Sequence, residues 1–197
     1  MKKTLMIMLA LVLVIAMSVS ATLAYLTDNA TVTNTFTVGD VQIDLDETKV
    51  DVYGVKDATA TAPVKTNTYK LIPGHSYLKD PTVHVKTGSE ECWLFVKVVN
   101  GLGANEITKS TDDHKTIADQ MAANGWTLVP GTEVYAHSTK HVAGENVAVF
   151  TEFTVAGDAT LSEYGDIVVT AYAIQADGFD TAAAAWTAAG AEAQENA

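Results

Sequence analysis

The chain has 197 residues and carries 24 acidic side chains against 12 lysines, with no arginine, for a formal charge of −12. That length suffices for one domain with a real hydrophobic core. The charge argues against nucleic acid, which is held by cationic patches and Arg forks, and against anionic membrane surfaces. The single cysteine, Cys92, rules out an internal disulfide.

The first element is a targeting signal. Lys2 and Lys3 form a positive start, Leu5 to Val19 is almost wholly apolar, and small residues follow through Ala24. This predicts a signal peptide over residues 1–24 with cleavage between Ala24 and Tyr25, Thr22 and Ala24 filling the small-residue pockets. The alternative is an uncleaved anchor, since about 18 apolar residues can span a bilayer. Cleavage removes Lys2 and Lys3 and takes the formal charge from −12 to −14. The expected product is secreted, extracellular and free of the membrane.

The mature chain reads mostly with period two. Residues 25–38, "YLTDNATVTNTFTV", are β-prone and carry one charge, Asp28. Leu26, Val32, Phe36 and Val38 share one parity, so they would be buried together. Val41, Ile43 and Leu45 alternate with Gln42, Asp44 and Asp46, as in a strand with one wet face. Residues 54–68 are small and polar and predict a long surface loop. "YKLI", "PTVHVKTG", "WTLV" and "TEVYAHSTKHV" are further strand candidates. "CWLFVKVV" is apolar on both faces and predicts a central strand. "NVAVFTEFTV" and "DIVVTAYAIQA" predict two more long strands.

Two Pro-Gly pairs, in "LIPGHSY" and "LVPGTEV", each predict a type II turn. Helix is the minority. "DDHKTIADQMAANG" places Ile117 and Met121 one turn apart, with Gly125 after its end. "DTAAAAWTAAG" takes Asp180 or Thr181 as its cap, Trp186 as its large anchor and Gly190 as its stop, leaving 191–197 as a frayed tail. The whole predicts an all-β fold with minor helices, an antiparallel two-sheet β-sandwich in one domain over 25–190, with a barrel as the alternative that the same strand pattern allows. Trp93, Phe95, Trp126, Phe150, Phe153, Tyr172 and Trp186 are expected in its core rather than along a ligand groove.

Candidate chemistry is sparse. On a strand, His137 and His141 share a face but stand about 13 Å apart, too far to grip one ion together, so all five histidines read as surface residues. The acidic group Asp40, Asp44, Asp46, Glu47 and Asp51 lacks the spacing of an EF-hand loop and reads as a wet face. Cys92 sits in an apolar run without nearby cations and reads as a buried, inert thiol. No nucleophile elbow, phosphate loop or dinucleotide fingerprint occurs, so no motif calls for a catalytic residue, a metal or a cofactor.

The junction from Ala24 through Asp28, "AYLTD", followed by Asn34, Phe36 and Gly39, resembles the start of secreted Firmicute proteins processed by the SipW-type signal peptidase, the TasA/camelysin family. Leu26 stands where the family usually has Phe. Pro73, Gly74, Lys79, Asp80 and Pro81 are similar to the family's second block, and "YAIQADGF" with Trp186 is similar to its C-terminal block. The resemblance implies a jelly-roll-like sandwich, export through that peptidase, and a structural role at the cell surface or in a biofilm matrix. Camelysin is classed as a metallopeptidase, but no residue here matches a catalytic motif. Residues 25–38 would then form an assembly strand that pairs with the open sheet edge of a second copy and builds fibres. The alternatives are a first strand of the chain's own sandwich, a monomeric surface binding module, and a secreted metallopeptidase.

Overall fold

In this computed structural model the described residues are 40–160 and 164–195, with side chains described through residue 189. The signal segment, the Ala24–Tyr25 junction and the strand residues Leu26, Val32, Phe36 and Val38 lie outside them.

The predicted central strand is the organiser. β4 (Cys92–Asn100) runs between β6 (Val134–His141) and β9 (Ile167–Gln175) in a four-stranded antiparallel sheet, whose far edge is β5 (Trp126–Leu128). Side chains on a strand alternate between faces, and β4 uses both. Cys92, Leu94 and Val96 enter one core, while Trp93 and Phe95 enter a second. This explains why the run is apolar throughout.

The first core is closed by two smaller antiparallel sheets. One pairs β1 (Ile43–Asp46) with β3 (Thr82–Val85) and β3 with β7 (Asn146–Ala148); the other pairs β2 (Ser76–Leu78) with β8 (Glu152–Thr154). Val83, Val85, Val147, Tyr77 and Phe153 meet Leu94 and Val96 there, joined by Ile117 and Met121 of α1 (Ile117–Ala123). The second core is closed by α2 (Ala182–Glu195), whose Trp186 packs on Phe95 at 4.9 Å and Tyr172 at 5.6 Å between ring centres. Among the described residues the fold is thus all-β and antiparallel with two α-helices.

Local chemistry explains the helix ends and turns. Thr116 accepts a hydrogen bond from the Asp119 amide and starts α1, satisfying an amide that has no partner within the helix. Thr181 does the same for Ala184 at the start of α2. Both Pro-Gly turns close with the expected i to i+3 bond, His75 N–H to Ile72 O and Thr132 N–H to Val129 O. Gly74 and Gly131 have φ of +78° and +79°, where a side chain is strained.

Three expectations are corrected. "NVAVFTEFTV" is not one strand: β7 and β8 belong to different sheets. The chain bends at Val149–Thr151 because Val149 and Phe150 are both fully buried, which period two cannot achieve on one face. "YKLI" forms no strand, although Lys70 N–H reaches Val52 O. α2 runs through Gly190 to Glu195 instead of stopping there. Residues 54–68 are largely exposed as predicted, yet Val64 pairs with Glu47 and Lys56 with Val50 through isolated bridges, so the loop is tied to the strand it leaves.

Candidate functional site

β1 and β9 are the facing edges of two different sheets, and they approach without pairing. Between them lies a groove of about 760 Å³. Leu45, Tyr69, Leu71, Leu102, Ile167 and Val169 give it an apolar floor, with Asp46, Glu47, Lys65, Asn67 and Lys79 along one rim. β9 is composed like a buried strand, "IVVTAYAIQ", but eight of its nine residues are only half-buried and Val168 is exposed. Among the described residues it has a strand neighbour on one side only.

The rim is built by the residues after β2. Lys79 donates to Glu47 Oε2 at 2.6 Å, and both side chains are largely buried. Asp80 accepts from the amide and hydroxyl of Thr48 at 2.8 and 2.7 Å. Asn67 donates to Glu47 Oε1 and to Thr48 O. Lys79 and Asp80 therefore clamp the end of β1 and fix one wall of the groove. The sequence offers both residues only through a resemblance; their partners lie about thirty positions away.

β1's own edge is partly covered. The Leu45 amide, which faces away from β3, is taken by the Asp44 carboxylate, and Leu45 O accepts from Lys65. Lys65 also pairs with Asp44, and this bond, ahead of the Leu45 amide, holds the Asp44 carboxyl below the usual range. Of the other acids, Asp46 accepts from His84 Nε2 at 2.9 Å, Asp40 from Gln42, and Asp51 from the Tyr53 and Val55 amides. The acidic group is thus a set of separate structural contacts.

Ser76, His114 and Glu152 come together without forming a catalytic relay. Ser76 Oγ lies 3.0 Å from His114 Nδ1, and Glu152 Oε1 lies 3.8 Å from the same nitrogen. A relay needs the orienting acid on the opposite ring nitrogen. Ser76 Oγ is also 2.6 Å from Thr154 Oγ1.

His137 and His141 overturn the sequence-based distance. Their ring centres are 4.5 Å apart, with His141 Nε2 2.8 Å from His137 Nδ1. The register explains it: Phe95 faces Ala136 and Trp93 faces Lys140, so three β6 residues stand opposite Leu94 alone. Such a bulge bends the strand and gathers positions that a regular strand would spread. Nor are these rings solvated: His141 is 7 % exposed and His137 half-buried. Burial first, then the charge of His141, pulls the His137 pKa below the ordinary imidazole value. The His141 hydrogen bond lowers that of Glu145.

Cys92 is fully buried, as its sequence context predicts, and burial followed by the Glu145 and Glu91 charges pushes its thiol up to about 11. Iodoacetamide at pH 8 should leave Cys92 unmodified in the folded protein and alkylate it fully in urea. Fast labelling without denaturant, read by intact mass, would contradict this burial.

Comparison with known proteins finds no matching family model, no curated protein and no solved structure.

Proposed function

We propose that the chain is an exported structural protein of a bacterial cell surface or biofilm matrix, which self-associates by strand addition. The observation that carries the reading is β9: an apolar strand, half-buried along an edge that has no strand partner among the described residues, beside an apolar groove. Such an edge recruits strands from other chains unless it is covered. Residues 25–38 of a second copy are the proposed occupant, with Leu26, Val32, Phe36 and Val38 directed at the floor. Main-chain hydrogen bonds would supply affinity and the alternate side chains register. A contact from one copy's terminus to the next copy's edge does not close on itself, so it propagates into a fibre. The similarity of the Ala24–Asp28 junction to SipW-processed proteins supports export followed by release of this segment.

Deleting residues 25–38 should abolish fibres in electron micrographs of the purified protein while leaving the circular dichroism of a β-rich fold. Unchanged fibres would refute strand addition. A wild-type protein that stays monomeric at rising concentration, by light scattering, would instead favour a monomeric binding module.

A further inference from the structure

The bulge in β6 creates an arrangement that assembly does not use. His141 Nδ1 faces Glu145 Oε2 at 2.7 Å, and His137 Nε2 faces the Asn124 carbonyl at 3.0 Å. A carbonyl oxygen only accepts, and so does an ionised carboxylate, so each outer ring nitrogen carries a hydrogen. This leaves the two inner nitrogens, His141 Nε2 and His137 Nδ1, facing one another at 2.8 Å, with the Thr139 N–H donating to His137 Nδ1 at 3.4 Å and the Thr139 hydroxyl 3.2 Å from it. Histidines that bind metals nearly always donate their other N–H to a carboxylate or a backbone carbonyl, which fixes the tautomer and raises ligand basicity. Both rings meet that condition here, from independent elements.

We propose that His137 Nδ1 and His141 Nε2 form a two-imidazole chelate for a divalent transition-metal ion, with copper(II) preferred. The ion displaces the proton held between the two nitrogens to solvent and replaces the Thr139 contacts on His137 Nδ1, and each ring turns slightly so that its lone pair points at the metal. Water fills the remaining positions. Among the described residues no three His, Cys, Asp or Glu side chains converge on one ion, so this is an open two-ligand site. Imidazole suits copper, nickel and zinc, and of the divalent first-row ions copper(II) binds a given nitrogen site most tightly.

The surroundings support the chelate. The half-buried His137 lies beside the exposed Ser138, Thr139 and Lys140, the side from which an ion would approach, while His141 is buried. Lys140 is drawn toward Glu91 and the face of Trp93, which turns its charge from the pair. Gly125 has φ of +87°, and a Cβ there would lie 3.0 Å from His137 Nε2. A glycine at this place lets the ring sit against the end of α1. The edge of the Trp126 ring system lies beside His137, with centres 5.1 Å apart.

Titrating the full-length protein with copper(II) sulfate should show one tight site, with electron paramagnetic resonance reporting nitrogen coupling from two imidazoles. His137→Gln and His141→Gln should each abolish the tight site, and Glu145→Gln should weaken binding about 10-fold, as when a ligand's supporting partner is lost. His75→Gln should leave it unchanged. Because His141→Gln removes a buried group, the wild-type protein gives a second reading. Substoichiometric copper(II) should broaden the imidazole signals of His137 and His141 and spare those of His75 and His84. Absence of tight binding, equal affinity of the His137→Gln protein, or uniform broadening of all five histidines would overturn the proposal.

Discussion

Lys79→Met should destabilise the protein by about 3–5 kcal/mol, the usual consequence of leaving a buried charge without its counter-ion. The Glu47 side chain is 5 % exposed and that of Lys79 12 %, with 2.6 Å between the charged atoms. Without the ammonium group, Glu47 keeps only the Asn67 amide as a side-chain donor. Domains of this size hold about 5–15 kcal/mol in total, so the variant would lie near the edge of folding. The control is the double variant Glu47→Leu/Lys79→Met, in which no charge remains to be buried. It should recover most of the loss, because a hydrophobic replacement of a buried pair is often neutral or better. Urea midpoints for the wild type, Lys79→Met, Glu47→Leu and the double variant complete the cycle. A single-variant loss under about 1 kcal/mol would mean that the pair behaves as a solvated one.

Phe153→Ala should cost a similar about 3–5 kcal/mol, for a different reason. Phe153 is 1 % exposed and stacks on Tyr77 at 4.9 Å with the rings 13° from parallel, while Tyr69 meets it edge-on at 5.2 Å. Its partner Tyr77 is fully buried and spends its hydroxyl on Lys70 O at 2.6 Å. Removing the ring takes away apolar contact and leaves a cavity beside two aromatic faces that cannot easily collapse into it. Phe153→Leu should lose less than half as much. Thermal unfolding of the three proteins gives the comparison, and equal melting temperatures would show that the aromatic cluster is dispensable.

Much of the fold was legible because its signals are local. The apolar run of β4, the Ile117–Met121 spacing and Gly125 at the end of α1, and the two Pro-Gly turns depend on residues within a few positions of one another. What escaped the sequence depends on distant partners. Gln120 is one example: its carbonyl oxygen accepts from the amides of Thr151 and Glu152, and its amide nitrogen donates to Glu152 O. Those bonds hold the bend between β7 and β8, yet nothing near residue 150 in the sequence announces them. The histidine pair is another, since the bulge is set by how β6 aligns with β4. For the groove, strand composition identified β9, but which side of it lay open was a matter of topology. The apolar alternation of residues 25–38 was the part of the assembly reading that the sequence could offer.

The bend at Val149–Thr151 has a consequence for how the molecule comes apart. One short stretch of chain leaves the three-stranded sheet and enters the two-stranded one, with Val149 and Phe150 sunk in the common core between them. Freeing β7 therefore pulls on β8, and the glutamine from α1 ties a helix to the same stretch. Partial openings that release one small sheet while sparing the other should therefore be suppressed, so that the two sheets with α1 would open as a single cooperative unit. In the extracellular setting proposed above, where proteases sample every transient opening, that coupling would itself be a form of protection.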